Sequence, residues 1–269
     1  MIGSLQSSVE IAFRHDEVRN RTVLSRRQAG GLCHLSKPYW TGEVLGLQLV
    51  NPTAGLFAGD QLTLYVDIAD RAQVALTSPS ATRYHTMPSG RADVIQQFRI
   101  GEGAWLDYWP EMVIPQRDSD VRQTIKIQLA PTASMVFLDL LAPGRVAHGE
   151  RYAFRKFETR LEICQNNTLL ARERCVLEPT KNIWPLKVPG WDLCYYGALW
   201  IAGEQAAQSI KHLNLANTVA HVGASLVDQN LAVIRVVAPS SLVLRKVTQQ
   251  LRALLKHDLP LLATDFRKL

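Results

Sequence analysis

From residue 61 onward the chain alternates apolar and polar positions in short runs. Leu62, Leu64, Val66 and Ile68 are separated by Thr63, Tyr65 and Asp67, the period-two signature of a half-buried strand. Residues 72–77, 92–100 and 104–109 read as further strands, Gln123, Ile125, Ile127 and Leu129 alternate again, and 134–141 forms another run. Turn signals fall between them at close intervals, among them Ala69-Asp70, Pro88-Ser89-Gly90, Gly101-Glu102-Gly103 and Pro143-Gly144. Many short strands so punctuated indicate an all-β sandwich, barrel or coiled β architecture.

The last third changes grammar. Residues 152–163 and 168–177 read as a hairpin around Gln165-Asn166-Asn167, and 179–189, with Pro179, Pro185 and Pro189, as an irregular crossing loop. A short helix is expected over 203–214, then a hairpin of 219–227 with 231–238. Ser240 is placed to cap a final helix with Val243, Val247, Leu251 and Leu254 on one face, a stripe suited to core packing. The expected fold is mainly β in one domain. It has a β body over about 1–178, an irregular loop over about 179–202 and a small α/β C-terminal portion over about 203–269.

Composition narrows this picture little. With 269 residues, 47% hydrophobic and 20% charged, the chain buries a sizeable core and is not of disordered type. Its net charge of +6 is thinly spread, with Arg19, Arg21, Arg26 and Arg27 the densest cluster. No basic run interleaves with aromatics, so nucleic acid is not the expected partner; a modest positive field suits an acidic protein partner as well. Cys33, Cys164, Cys175 and Cys194 stand far apart, as neither a disulfide framework nor a zinc motif. The N-terminus lacks a secretory pattern and the longest apolar run, residues 195–202, is too short to span a bilayer, so a soluble cytoplasmic protein is expected.

Candidate chemistry is sparse. There is no H-E-x-x-H, no G-x-S-x-G and no P-loop Lys-Ser/Thr, so metalloprotease, serine hydrolase and nucleotide-binding signatures are missing. What remains is a set of acids: Asp60, Glu111, Asp139, Glu150 and Glu173. Asp139 interrupts the apolar run Met135-Val-Phe-Leu-Asp-Leu-Leu141, and a buried acid costs several kcal/mol unless paired, hydrated or cation-bound. Two readings stand: an ion pair, with Arg145 or Arg83 as partner, or a polar interior that passes something charged. Asp60 ends the loop Asn51-Pro-Thr-Ala-Gly-Leu-Phe-Ala-Gly-Asp60, where glycines permit positive φ or close approach. It reads equally as a turn-capping acid and as one held for function.

That loop, with Ser80-Ala-Thr-Arg-Tyr84, Leu106-Asp-Tyr-Trp-Pro-Glu111, Asp139-Leu-Leu-Ala-Pro-Gly-Arg-Val-Ala-His-Gly-Glu150 and Gly223-Ala-Ser-Leu-Val-Asp228, resembles the urease accessory protein D family (UreD, called UreH in some bacteria) in order and spacing. The resemblance spans nearly the whole chain and implies an elongated β-superhelical body. It also implies a non-enzymatic maturation factor that works with a helical F-type partner and a G-type GTPase on urease apoprotein. The factor would help nickel reach the active site, with nickel in transit and no cofactor tightly bound. By motif position, Asp60, Asp139 and Glu173 are the implied metal-path residues, and Thr82, Arg83, Glu111, Arg145 and Glu150 further tunnel or motif positions. Departures are Ala54 and Ala58 where the family pairs glycines, Arg83 where it has lysine, and His85-Thr86 for Tyr-Arg. The rivals are a β-scaffold hydrolase or lyase using Asp60, Asp139 or Glu173 as acid or base, and a basic β domain that binds a polyanion.

Overall fold

The computed structural model describes residues 4–181, 194–211 and 219–263. The first part of the chain forms β1 (Gln6–Asp16), β2 (Arg21–Gln28), β3 (His34–Leu35), β4 (Tyr39–Thr41) and β5 (Val44–Val50). Then come β6 (Gln61–Ile68), β7 (Gln73–Thr77), β8 (Thr82–Tyr84), β9 (Ala92–Ile100), β10 (Trp105–Trp109), β11 (Val113–Pro115), β12 (Asp120–Leu129) and β13 (Ser134–Leu141). A hairpin, β14 (Lys156–Gln165) and β15 (Thr168–Leu177), precedes β16 (Tyr195–Ala202) and α1 (Ala206–Lys211). The described chain closes with β17 (His221–Asp228), β18 (Leu231–Ala238), α2 (Ser241–Leu255) and a 3-10 turn at Pro260–Ala263.

These strands make a solenoid of two facing sheets. One sheet runs β15-β14-β12-β9-β6-β1-β2, the other β17-β18-β16-β13-β10-β7-β5-β3, with β4 on β5. From β6 to β14 the long strands alternate between sheets, and each lies parallel to its counterpart one coil earlier. Parallel register stacks equivalent residues, so Ile11, Val66, Phe98, Ile127 and Ile163 form one row. Leu47, Leu76, Tyr108, Phe137 and Trp200 form another on the opposing sheet. The rows interdigitate between the sheets as the main core. The short strands β8 and β11 pair in parallel as a third face, joined to β13 at Val113 and Leu141.

The two sheets differ in what covers them. The outer face of β12 is partly solvated, hence its alternating burial. In the larger sheet β10, β13, β16 and β18 are buried on both faces, by the interior core and by the cluster around α2, which is why they lose alternation. Here the expected loop over 179–202 is corrected: residues 195–202 form β16, antiparallel between β13 and β18. Their unbroken apolar run reflects burial on both faces, not an irregular segment. The Pro-rich residues 182–193 lie outside the described residues. The hairpin of 219–227 with 231–238 is present as β17–β18 and continues the same sheet. Strands β1 to β5 fall within the expected β body over about 1–178 but are not individually placed by the sequence reading, although Val9, Ile11 and Phe13 carry the same alternation and are buried.

Local chemistry accounts for the joints. Asn166 and Asn167 both take left-handed φ, 48° and 62°, as a two-residue hairpin turn requires. Helix α2 is capped by Ser240, whose Oγ accepts from Val243 N at 3.2 Å. Its buried stripe is Leu244, Val247, Leu251 and Leu255, and Leu254, expected inside, is 51% exposed. The face is turned by about one residue from the expected one because Leu244 packs down towards Gly197 of β16.

Candidate functional site

Register brings polar side chains into the interior of the solenoid. On β13, Met135 and Phe137 face the interior core while Val136, Leu138 and Leu140 face α2, so period two turns Asp139 inward. Asp139 stands opposite Ala198, and Ala198 opposite Arg235, in one row across β13, β16 and β18. On the facing sheet Gln123, Thr159 and Cys175 form one row, and Ile125, Leu161 and Glu173 the next.

Between these rows lie two cavities. The first, about 100 Å³, is lined by Ser80, Thr82, Glu111, Gln123 and Asp139 among others. The second, about 230 Å³, is lined by Asp139, Thr159, Glu173, Cys175, Tyr196 and Arg235. Asp139 belongs to both walls. It is surrounded by protein yet keeps open space against its carboxylate, and so is deep without being tightly packed.

The electrostatics follow from that position. Burial pushes the Asp139 carboxyl up from 3.8 to about 6; neighbouring Glu173 adds to the rise, while the Gln123 side chain and the Leu140 N–H oppose it. Among the described residues no basic group takes part, so of the two readings the ion pair with Arg145 or Arg83 is the one corrected. Arg145 binds Glu150 instead, through Nε–Oε2 at 2.8 Å and Nη2–Oε1 at 2.5 Å, and this pairing holds the Glu150 carboxyl below its ordinary value. Arg83 is an exposed residue of β8. Glu173 Oε2 accepts from Arg235 Nη2 at 2.5 Å, with the Tyr196 hydroxyl at 3.5 Å from Oε1. Burial pushes the Cys175 thiol up to about 11, with Glu173 and Asp139 reinforcing it, so the sulfur faces the cavity as a neutral thiol.

Asp60 lies elsewhere. It is 3% exposed and lines neither cavity; Oδ1 accepts from Leu5 N at 2.9 Å and Oδ2 from Phe57 N at 2.8 Å. That is the turn-capping geometry, which also pins the start of β1. The loop's close approach is made by Gly55 (φ 144°), where a Cβ would stand 2.3 Å from the Arg83 carbonyl oxygen. This contact lets Leu56 N donate to the Arg83 carbonyl at 2.9 Å and extends the third face by one bridge to Tyr84. Neither Ala54 nor Ala58 takes a positive φ, so the missing glycines are tolerated without strain. Glu150 and Arg145 likewise brace their own loop, where a Cβ on Gly144 would stand 2.3 Å from the Glu150 carbonyl oxygen.

Several residues at the site carried no expectation. Arg235 interrupts the apolar strand Leu231–Ala238 as Asp139 interrupts its own, and Arg245 of α2 reaches Glu111 with Nη2–Oε2 at 2.6 Å. A charge inside an apolar strand asks for a partner; pairing such intruders was the available signal. Asp107 is a third. It is fully buried on β10 and bound by Arg252 of α2 through Nη1–Oδ1 at 2.8 Å and Nη2–Oδ2 at 2.5 Å. Among the described residues no three His, Cys, Asp or Glu side chains converge to hold a metal ion, and no helix is long and apolar enough to cross a membrane.

Fold and site together define a β-solenoid protein whose interior holds an acid-lined pair of cavities. The chain belongs to the UreD urease accessory protein family, whose model it matches over residues 6–265. It is 36% identical over 254 residues to the urease accessory protein UreD of Opitutus terrae, an alignment covering 92% of this chain and 93% of that one. To UreD of Halalkalibacterium halodurans it is 31% identical over 202 residues, 73% of each chain. To the urease accessory protein UreH of Helicobacter hepaticus it is 30% identical over 139 residues, 52% of this chain and 55% of that one.

Proposed function

We propose that this chain is a cytoplasmic urease maturation factor. It acts without catalysing a reaction, alongside a helical F-type partner and a G-type GTPase, docking with them on urease apoprotein and assisting nickel insertion. Nickel is cargo in this reading, passed along the paired cavities by way of Asp139. Family membership supports the role, and one observation supports the path: an inward carboxylate, with no basic partner among the described residues, stands in the wall shared by two cavities.

The chemistry suits transit better than storage. Tight nickel sites draw on imidazole or thiolate, whereas here carboxylates face the cavities and the nearby Cys175 is a neutral thiol. An ion held by one or two carboxylates and water is released again. Thr82 and Glu111 line the first cavity and Glu173 the second, so these are the path residues beside Asp139. Asp60 is left to its structural role.

The test is co-expression of urease subunits and the accessory proteins with Asp139→Asn. Nickel per urease is expected to fall several-fold while the accessory complex is still recovered intact. Full nickel content in urease matured by that variant overturns the path.

A further inference from the structure

Three carboxylates line the two cavities, and they are not equivalent. Glu111 in the first is bound by Arg245 at 2.6 Å, and Glu173 in the second by Arg235 at 2.5 Å. Asp139, in the wall common to both, forms no ion pair among the described residues; Arg235, which lines the second cavity with it, is bound to Glu173 instead. Beside it, Gln123 is 2% exposed, lines the first cavity and leaves its Oε1 without a donor. At the centre, then, are a carboxylate bound only by neutral groups and a buried amide oxygen without a donor, while a guanidinium closes the glutamate on either side.

We propose that Arg235 and Arg245 are tethered counter-ions occupying the cation positions at Glu173 and Glu111. A divalent ion then enters only by displacing a guanidinium from its carboxylate. The proposal rests on the ion-path reading and adds a gate to it. Both arginine side chains are about half exposed, 43% and 51%, and their glutamates only 25% and 28%. Each guanidinium therefore swings into water at small cost, as exposed ion pairs do, while the carboxylate stays at the cavity wall. A monovalent ion offers no more charge than the tethered guanidinium it replaces. A divalent ion doubles the attraction and finds Asp139 in the same cavity as Glu173. The arrangement selects for charge and keeps Glu173 and Glu111 neutralised between passages.

The test titrates the full-length chain with Ni²⁺ alone in a fixed potassium chloride background. Arg235→Gln and Arg245→Gln are each expected to tighten Ni²⁺ binding by roughly tenfold, and Arg235→Lys, which keeps the charge, to stay within about threefold of wild type. Glu173→Gln added to Arg235→Gln is expected to erase the gain. Unchanged or weaker binding in both Arg→Gln variants overturns the gate, as does a gain that survives removal of Glu173. Because the two pairs stand on different elements, misfolding of one variant leaves the other to decide. The gate and the path fail separately. If Asp139→Asn blocks delivery while the Arg→Gln variants bind Ni²⁺ as wild type does, the path stands and the gate falls. If they bind tighter while Asp139→Asn delivers nickel normally, the gate stands and the path falls.

Discussion

Asp107 and Asp139 lie on neighbouring parallel strands of one sheet, each an acid set in an apolar run, yet they face opposite ways. Asp107 pairs in register with Val136, whose side chain faces α2, and so it meets Arg252 there in a two-pronged pair. Arg252 also donates to the Leu262 carbonyl at 3.2 Å and lies over the Trp109 ring at 4.7 Å. Asp139, on the other face, meets cavities instead of a cation. Burial raises the carboxyl pKa at both positions, opposed at Asp107 by Arg252 and at Asp139 only by neutral hydrogen bonds. Burial alone therefore says nothing about use; the face of the strand does. A compensated acid fastens a helix to a sheet, and an uncompensated one is maintained at a cost in stability.

The largest expected effect breaks the compensated side. Arg252→Ala leaves the Asp107 charge buried without its partner and should cost about 3–5 kcal/mol in a denaturant titration. Replacing both residues at once, Asp107→Leu with Arg252→Met, should recover most of that loss. A double variant as unstable as Arg252→Ala would mean that the pair is not the fastening.

Next comes the uncompensated side. Asp139 titrates near 3.8 in an unfolded chain and at about 6 in the folded one. Well below pH 3.8 it is protonated in both states. Between the two values the unfolded chain has lost the proton and the folded chain keeps it, so stability falls as pH rises through this window and levels off above it. Asp139→Asn should therefore stabilise the protein by up to about 3 kcal/mol at pH 7.5, with the gain gone well below pH 3.8. A destabilising Asp139→Asn at pH 7.5 would show that the charge is compensated after all.

The smallest effect belongs to Asp60, which lines neither of the two cavities and is bound by backbone N–H groups. Asp60→Ala removes an acceptor from two backbone N–H groups and should cost about 1–2 kcal/mol. Nickel reaching urease should be unchanged once folded protein is equalised; a selective nickel defect would return Asp60 to the path.

A wet face makes strand pattern legible, although β1 carries the same alternation without being placed. The period-two runs of β6, β9 and β12 and the Ser240-capped helix were readable because solvent on one side and core on the other impose alternation. Where both faces are buried alternation is lost: β10, β13 and β18 stay legible as short apolar runs between turn signals, whereas β16, which follows the proline-rich stretch, falls in the expected loop. The acids were legible as anomalies but not in their roles. Asp139 announced itself by interrupting an apolar run, whereas Asp60, the more conspicuous in its glycine loop, turned out to cap the turn. Arg235, Arg245 and Arg252 are distant in sequence from Glu173, Glu111 and Asp107, separated by 62, 134 and 145 positions, and no local pattern links them.

By itself the sequence determined that the chain is mainly β, where its wet-faced strands and turns fall, which acids are out of place, and, through five motifs in register, the family. Those are properties of neighbours along the chain: alternation, capping and turn chemistry. Only the tertiary structure decided that coils stack in parallel, that Asp139 opens onto two cavities, and that two glutamates are clamped by arginines. These depend on strand register and on which face of a sheet is covered, which are set by packing between segments far apart in the chain.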